Sequence, residues 1–146
     1  MREAVVDANI LLRYLTNESH ELAERAAALL QTAEEKRVAL VIAPLTLAEV
    51  VYVLESVYGW NRDAVADGLL QFISAGALIV LEHDLVAQTL GWYRDIAGLD
   101  FADAHILALA RSRGHGTVIS FDRRMQRVPG TAVIHDPEQF QVDESL

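Results

Sequence analysis

The sequence contains no cysteine among its 146 residues. Disulfide bonds, thiolate metal sites and cysteine nucleophiles are therefore excluded. It also lacks a run of about 18 apolar residues, roughly the length that a membrane-spanning helix requires. Arg2, Glu3 and Asp7 interrupt the apolar stretch that a signal peptide would need. We therefore expect a cytoplasmic protein that makes no use of a membrane.

Three motifs that are common in enzymes are missing as well. The chain has no Gly-x-Ser-x-Gly segment, no Walker A loop and no Gly-x-Gly-x-x-Gly segment. Its five histidines are scattered and none has the spacing of a metal-ligand pair. These absences remove the usual support for a serine hydrolase, a nucleoside triphosphatase and a dinucleotide-dependent oxidoreductase.

Positive charge is scarce, because 12 lysines and arginines stand against 21 acidic residues, for a net charge of -9. This balance argues against a non-specific nucleic-acid binder. Some of the basic residues nevertheless cluster late in the chain, at Arg111, Arg113, Arg123, Arg124 and Arg127. Such a cationic edge could hold phosphates, whereas the plain alternative is a solvated charged face, and the sequence leaves both open.

Short apolar runs alternate with amphipathic segments along the whole chain. A hydrophobic fraction of 52% suits one domain over 1–146 with a sizeable core. The alternation predicts a three-layer α/β/α sandwich around a central, mainly parallel sheet of about five strands. The predicted strands are 4–6, 38–43, 78–81, 117–121 and 132–134. The predicted helices are 9–15, 20–35, 45–58, 62–74, 84–96 and 101–113. Residues 141–146 are expected to form a flexible tail.

Acidic residues fall where these strands end and these helices begin. Asp7 and Asp122 follow apolar strands, whereas Glu49 and Asp103 occupy the starts of helices. In an open parallel sheet these positions gather at one edge. Carboxylates gathered there would repel one another unless a cation lay among them, and oxygen ligands suit magnesium or manganese. Such a site can direct water at a phosphodiester.

The two acids that follow strands also have structural explanations. Asp7 could cap the helix that follows it, since aspartate is a preferred N-cap residue. Asp122 could form a surface salt bridge with Arg123 or Arg124, which contributes little to stability.

The two acids on helices have structural explanations too. Glu49 borders an apolar stripe, where a carboxylate carries a desolvation penalty unless it is paired or bound to a metal. A capping box from Thr46 to Glu49 is the competing account. Asp103 could simply favour the positive end of its helix, with Asp100 as the cap.

Taken in order, these segments resemble the PIN-domain family, specifically the VapC-type toxin ribonucleases of type II toxin–antitoxin systems. The resemblance spans almost the whole chain. The turn Arg127-Val128-Pro129-Gly130 is similar to the family's closing segment before the last strand. The other matching segments are Val-Asp-Ala-Asn-Ile-Leu at 6–11, Leu-Ala-Glu-Val at 47–50, Asp-Phe-Ala-Asp-Ala at 100–104 and Ile-Ser-Phe-Asp at 119–122.

The resemblance implies a metal-dependent endoribonuclease that uses Mg²⁺ or Mn²⁺. The implied metal ligands and catalytic residues are Asp7, Glu49, Asp103 and Asp122. Asn9 and Ser120 are implied to orient ligands or water, and Asp100 competes with Asp103 for the third ligand position. The resemblance further implies an RNA substrate, a cognate antitoxin protein, a homodimer and a higher assembly with the antitoxin. For the phosphates that flank the cleaved bond, we expect contacts from Arg13, Arg123 and Arg124.

Two alternatives stay open at this point. A phosphatase of the haloacid-dehalogenase type also begins with an aspartate after its first strand, but Asn9 stands where that chemistry needs a second acid. A catalytically silent PIN-like module that binds RNA or protein is the other alternative. The valine-rich helix 45–58 leaves few polar positions, which favours burial of part of it by another chain.

Overall fold

The computed structural model of the chain describes residues 2–75 and 78–140. The predicted tail 141–146 lies outside the described residues. The chain divides into two compact units whose boundary falls between Ala87 and Gln88. A single domain over 1–146 stays a prediction.

The predicted α/β class is confirmed, with helices in the majority and every recorded strand pair parallel. Most predicted elements occur within about two residues of the expected bounds, the usual uncertainty of helix and strand ends. The strands are β1 (Glu3–Val5), β2 (Ala39–Ile42), β3 (Leu78–Val80), β4 (Thr117–Ile119) and β5 (Ala132–Ile134). The α-helices are α1 (Ala8–Thr16), α2 (His20–Glu35), α3 (Pro44–Ser56), α4 (Arg62–Ile73), α5 (His83–Asp95) and α6 (Phe101–Ser112).

In the first unit, β1, β2 and β3 form a parallel sheet in that order. The register aligns Val5 with Val41 and Ile42 with Val80. All of β2 is buried, as expected of a central parallel strand that is covered on both faces. Helices α1 and α3 pack against each other beside this sheet, so the segments that leave β1 and β2 are neighbours.

In the second unit, β4 and β5 form a parallel pair that aligns Ile119 with Ile134. The five predicted strands are therefore present, but among the described residues they pair as three and two rather than as one continuous ladder. Helix α6 contacts β4. An edge-to-face contact between Tyr93 and Phe101, with ring centroids 6.2 Å apart, helps to fill the core of this unit.

Two short 3-10 helices were not predicted, Arg123–Arg127 and Pro137–Gln139. Segments of this length contain too few residues for an apolar periodicity to show. None of the described helices combines the length and the apolar character that crossing a membrane demands.

Candidate active site

Asp7 lies where β1 gives way to α1. The backbone N–H of Val6 still donates to the carbonyl of Val41 at 2.9 Å, so the chain leaves the sheet at Asp7. Asp7 holds the N-cap position of α1, but its side chain makes no capping bond to the first turn, residues 8–10, which is fully described. The capping explanation for this exposed carboxylate is therefore wrong, and it is available for another role.

Glu49 lies deeper in its helix than the sequence suggested. Helix α3 begins at Pro44 with Ala43 as its N-cap, because proline is well suited to the first helical position, where no N–H is needed. Glu49 is thus in the second turn, and the predicted capping box with Thr46 is wrong. Glu49 is also exposed, so the expected desolvation penalty was wrong as well. The buried stripe passes through Leu47 and Val50 on either side of it.

Asn9 and Arg13 are four residues apart on α1 and so share a face of that helix. Asn9 is exposed and Arg13 is half-buried. Asp7 follows β1, and Glu49 belongs to the helix that follows the neighbouring strand β2. The first unit therefore offers both acids on elements that leave the carboxyl edge of its sheet.

Asp100 and Asp103 open α6 in the second unit. The Asp100 carboxylate accepts a hydrogen bond from the backbone N–H of Asp103 at 2.8 Å, which confirms the predicted cap. Only 15% of the Asp103 side chain is exposed. Its Oδ2 atom is buried and has no hydrogen-bond partner among the described residues. A buried carboxylate oxygen without a donor is unusual, because desolvation is then uncompensated.

Asp122 is held by Arg124 rather than by Arg123. The guanidinium donates from Nε to Oδ1 at 3.1 Å and to Oδ2 at 3.0 Å, and from Nη2 to Oδ2 at 2.7 Å. The Arg124 backbone N–H also donates to Asp122 Oδ1 at 2.9 Å. The Ser120 hydroxyl accepts from the Asp122 N–H at 3.0 Å. Ser120 therefore helps to fix the backbone of Asp122, and the orienting role implied for it stays a prediction.

In the second unit, Asp103 and Asp122 were predicted as ligands, and their pKa values are shifted in opposite directions. Burial raises the pKa of Asp103, and the negative charges of Asp100 and Asp122 raise it further, against the opposing charge of Arg124. Hydrogen bonds from the Arg124 side chain, then from its backbone, lower the pKa of Asp122. Hydrogen bonds therefore favour the ionised form of Asp122, whereas the Oδ2 atom of Asp103 accepts none from the described residues and has only the Arg124 guanidinium among them, 3.9 Å away, to offset its charge.

The arrangement of the acidic side chains bears on whether they could hold a metal ion. Within 2–75 and 78–140, no group of three or more histidine, aspartate and glutamate side chains is arranged to hold one. The set of four carboxylate ligands therefore stays a prediction. The unpartnered Oδ2 of Asp103 nevertheless fits a cation, because a hard oxygen donor in a nearly buried carboxylate is the kind of ligand that Mg²⁺ and Mn²⁺ take.

Part of the predicted cationic edge has a structural role instead. Arg111 lies 4.9 Å over the Trp92 ring and donates to the Pro129 carbonyl at 2.5 Å. Arg127 donates to the Ala97 carbonyl. These two arginines hold loops of the second unit in place. No periodic pattern in the sequence predicts such contacts, because they join residues 18 and 30 positions apart.

A comparison with protein-family models finds the PIN domain over residues 4–131. The comparisons with curated proteins and with solved structures found no match. The matched range contains every site residue predicted above, from Asp7 to Arg124.

Proposed function

Because the chain belongs to the PIN domain family, we propose that it is a metal-dependent endoribonuclease and the toxin of a toxin–antitoxin pair. PIN domains are generally nucleases, hence hydrolases, and typically use divalent metal ions. The observation that carries the metal-dependent part is the buried, unpartnered Oδ2 of Asp103. The family match lends nothing to the phosphatase alternative.

The proposed ligands are Asp7, Glu49, Asp103 and Asp122, the acids in the segments that resemble the family's motifs. A bound Mg²⁺ or Mn²⁺ ion would activate a water molecule for in-line attack and stabilise the charge that develops on the phosphate. Asp100 fixes the first turn of α6 and so the backbone of Asp103. Ser120 does the same for Asp122, and Asn9 is proposed to orient a ligand or water beside Asp7.

RNA is the proposed substrate, and its backbone needs positive charge that the chain as a whole lacks. Arg111 and Arg127 are committed to carbonyl oxygens of the second unit. Arg13, Arg123 and Arg124 are the proposed contacts for phosphates beside the cleaved bond. A shortage of fixed cations suits an enzyme that binds its substrate partly through a metal ion.

The experiment for this proposal compares cations in an RNA cleavage assay with purified protein. We expect products with Mn²⁺ or Mg²⁺ and none with Ca²⁺ or a chelator, because Ca²⁺ tolerates irregular coordination that does not align the attack. Cleavage that survives the chelator would contradict metal dependence. RNA binding without metal-dependent products would identify a silent RNA-binding module instead.

A groove in the first unit supports the proposal of a protein partner. The groove has a volume of about 910 Å³ and combines aromatic rings with polar side chains. Its lining includes Tyr14, Gln31, Glu34, Trp60 and Phe72. We propose that a segment of the antitoxin occupies this groove, acting in the cytoplasm. Co-expression with the product of the adjacent reading frame should yield a complex and suppress growth toxicity. Toxicity that persists beside a well-expressed neighbour would contradict this pairing.

A homodimer is proposed from the outer face of α3. Leu45 and Tyr52 are 82% and 69% exposed, and they lie about two turns apart on the same face of this helix. Apolar side chains exposed together in this way are typical of protein interfaces.

A further inference from the structure

Arg124 stands between the two acids of the second unit that are proposed as metal ligands. Its Nη2 lies 2.7 Å from Asp122 Oδ2 and 3.9 Å from Asp103 Oδ2. The first distance is a hydrogen bond, whereas the second is too long for one. The guanidinium therefore binds Asp122 and leaves the Asp103 oxygen without a donor.

Both oxygens of Asp122 are engaged by the same residue. Oδ1 accepts from the backbone N–H and from Nε of Arg124, and Oδ2 accepts from Nε and Nη2. A cation that bound Asp122 would have to displace at least the guanidinium. Since both are positive, each also weakens the binding of the other through charge repulsion.

The guanidinium is placed so that it can leave. The Arg124 side chain is 50% exposed, and an ion pair with this much exposure is held only weakly. The pair is also local, because Asp122 and Arg124 are only two positions apart in the chain. Moving the guanidinium therefore disturbs no packed element.

Asp122 does not depend on the guanidinium for its position. Its N–H is held by the Ser120 hydroxyl at 3.0 Å, and its carbonyl accepts from the N–H of Met125 at 3.3 Å. Met125 is buried, which anchors this turn independently of Arg124. Removal of the guanidinium should therefore leave the carboxylate in place with its oxygens open.

We propose that Arg124 competes with the divalent cation for Asp122 and so sets the metal affinity of the protein. The inference rests on the proposed function, because it assumes that Asp103 and Asp122 bind the cation. Without metal, Arg124 binds the Asp122 carboxylate. Once a cation is bound, Arg124 faces solvent or a substrate phosphate instead.

The experiment measures Mn²⁺ affinity by titration calorimetry and by the electron paramagnetic resonance of unbound Mn²⁺, without RNA. The variants are Arg124→Gln, Arg124→Lys and, as the charge-matched control, Arg123→Gln. Arg124→Gln should bind Mn²⁺ roughly fivefold more tightly than the wild type, the upper range for an exposed ion pair. Arg124→Lys keeps the positive charge but loses the planar guanidinium that binds both carboxylate oxygens. Its Mn²⁺ affinity should therefore lie between those of the wild type and Arg124→Gln. Arg123→Gln should change the affinity by less than about twofold, because an exposed, solvated charge is screened.

Thermal melting without metal checks that each variant folds, and the rise in melting temperature on addition of Mn²⁺ gives a second reading of affinity. Unchanged or weaker Mn²⁺ binding by Arg124→Gln would overturn the inference and leave the proposed function standing. If that variant did not fold, equal affinity of Arg124→Lys and the wild type would overturn it. Absence of Mn²⁺ binding in every variant would overturn both the inference and the metal-dependent function.

Discussion

Asp103 has a carboxylate that is nearly buried and short of partners. Its side chain is 15% exposed, and burial is the first cause of its raised pKa. A raised folded-state pKa means that the folded protein binds this proton more tightly than the unfolded chain does. The stability that this group contributes is therefore present at pH values below its ordinary pKa of 3.8. It is lost as the pH rises through the higher pKa of the folded state. At neutral pH without metal, Asp103 therefore destabilises the fold.

Asp103→Asn should accordingly stabilise the metal-free protein. The amide removes the buried charge at similar size, and we expect the melting temperature at pH 7 to rise by roughly 2–4 °C, the effect of about 1 kcal/mol in a chain of this length. The gain should shrink as the pH falls towards 4, because the wild-type carboxyl then takes up its proton. Glu49→Gln, at an exposed acid, should change little. A lower melting temperature of Asp103→Asn at pH 7 would contradict the account.

The role of an acid could be predicted from the sequence only where residues close to it in the chain decide that role. Asp100 was predicted as a cap, because a cap is decided by residues three apart, and the bond to Asp103 is present. Glu49 was misassigned, since the pattern from Thr46 to Glu49 resembles a capping box although the helix begins earlier, at Pro44. The unpartnered oxygen of Asp103 is set by tertiary packing, for which the sequence carries no direct signal.

Helix starts in this chain rely on side-chain caps to different degrees. The Asn61 side chain accepts a hydrogen bond from the N–H of Ala64 at 2.8 Å, whereas Ser19 makes no side-chain bond to the described first turn of α2. Both residues are of types that are favoured at the N-cap position. Only the structure separates the one that bonds from the one that does not.

Asn61→Ala should therefore reduce the free energy of unfolding by about 1 kcal/mol, the usual loss for a bonded cap. Ser19→Ala is the matched control and should lose a small fraction of that value, because its side chain satisfies no N–H of α2. Urea denaturation of both variants with a common slope measures the difference. Equal losses would show that the two caps are alike in solution.

Long helices were predicted better than short elements. Helix α2 occurs at its predicted bounds, His20–Glu35, because a 16-residue amphipathic pattern repeats several times. Strand β4 ends at Ile119 rather than at residue 121, since Ser120 and Asp122 turn the chain into a 3-10 helix. The apolar character of Phe121 suggested a longer strand, yet this side chain is 93% exposed.

For the whole molecule, the alternation of apolar runs with amphipathic segments predicted the α/β class but could not predict how the strands pair. Pairing of β4 with β5, and of β1 with β2, is decided by contacts between distant parts of the chain. The five parallel strands were anticipated, whereas their arrangement as a sheet of three and a sheet of two was not.

The apolar face of α3 gives a prediction about the state of the protein in solution. Tyr52→Glu places a charge in the middle of that face and should convert the proposed homodimer to a monomer, as measured by light scattering over a range of concentrations. Leu29→Glu is the matched control, because Leu29 is 58% exposed on α2, away from α3 in the sequence. A wild-type protein that is monomeric at all concentrations would contradict the proposed dimer.

The central claim is that the acids of this PIN domain carry out metal-dependent RNA cleavage. Its most direct test is cleavage by purified Asp7→Asn in Mn²⁺, beside the wild type and Asp84→Asn, an exposed acid that opens α5 outside the proposed ligand set. We predict that Asp7→Asn folds, melts like the wild type and loses at least about a hundredfold in rate, the scale of removing one electrostatic group from an active site. Asp84→Asn should keep the wild-type rate. Cleavage by Asp7→Asn at the wild-type rate would contradict the account.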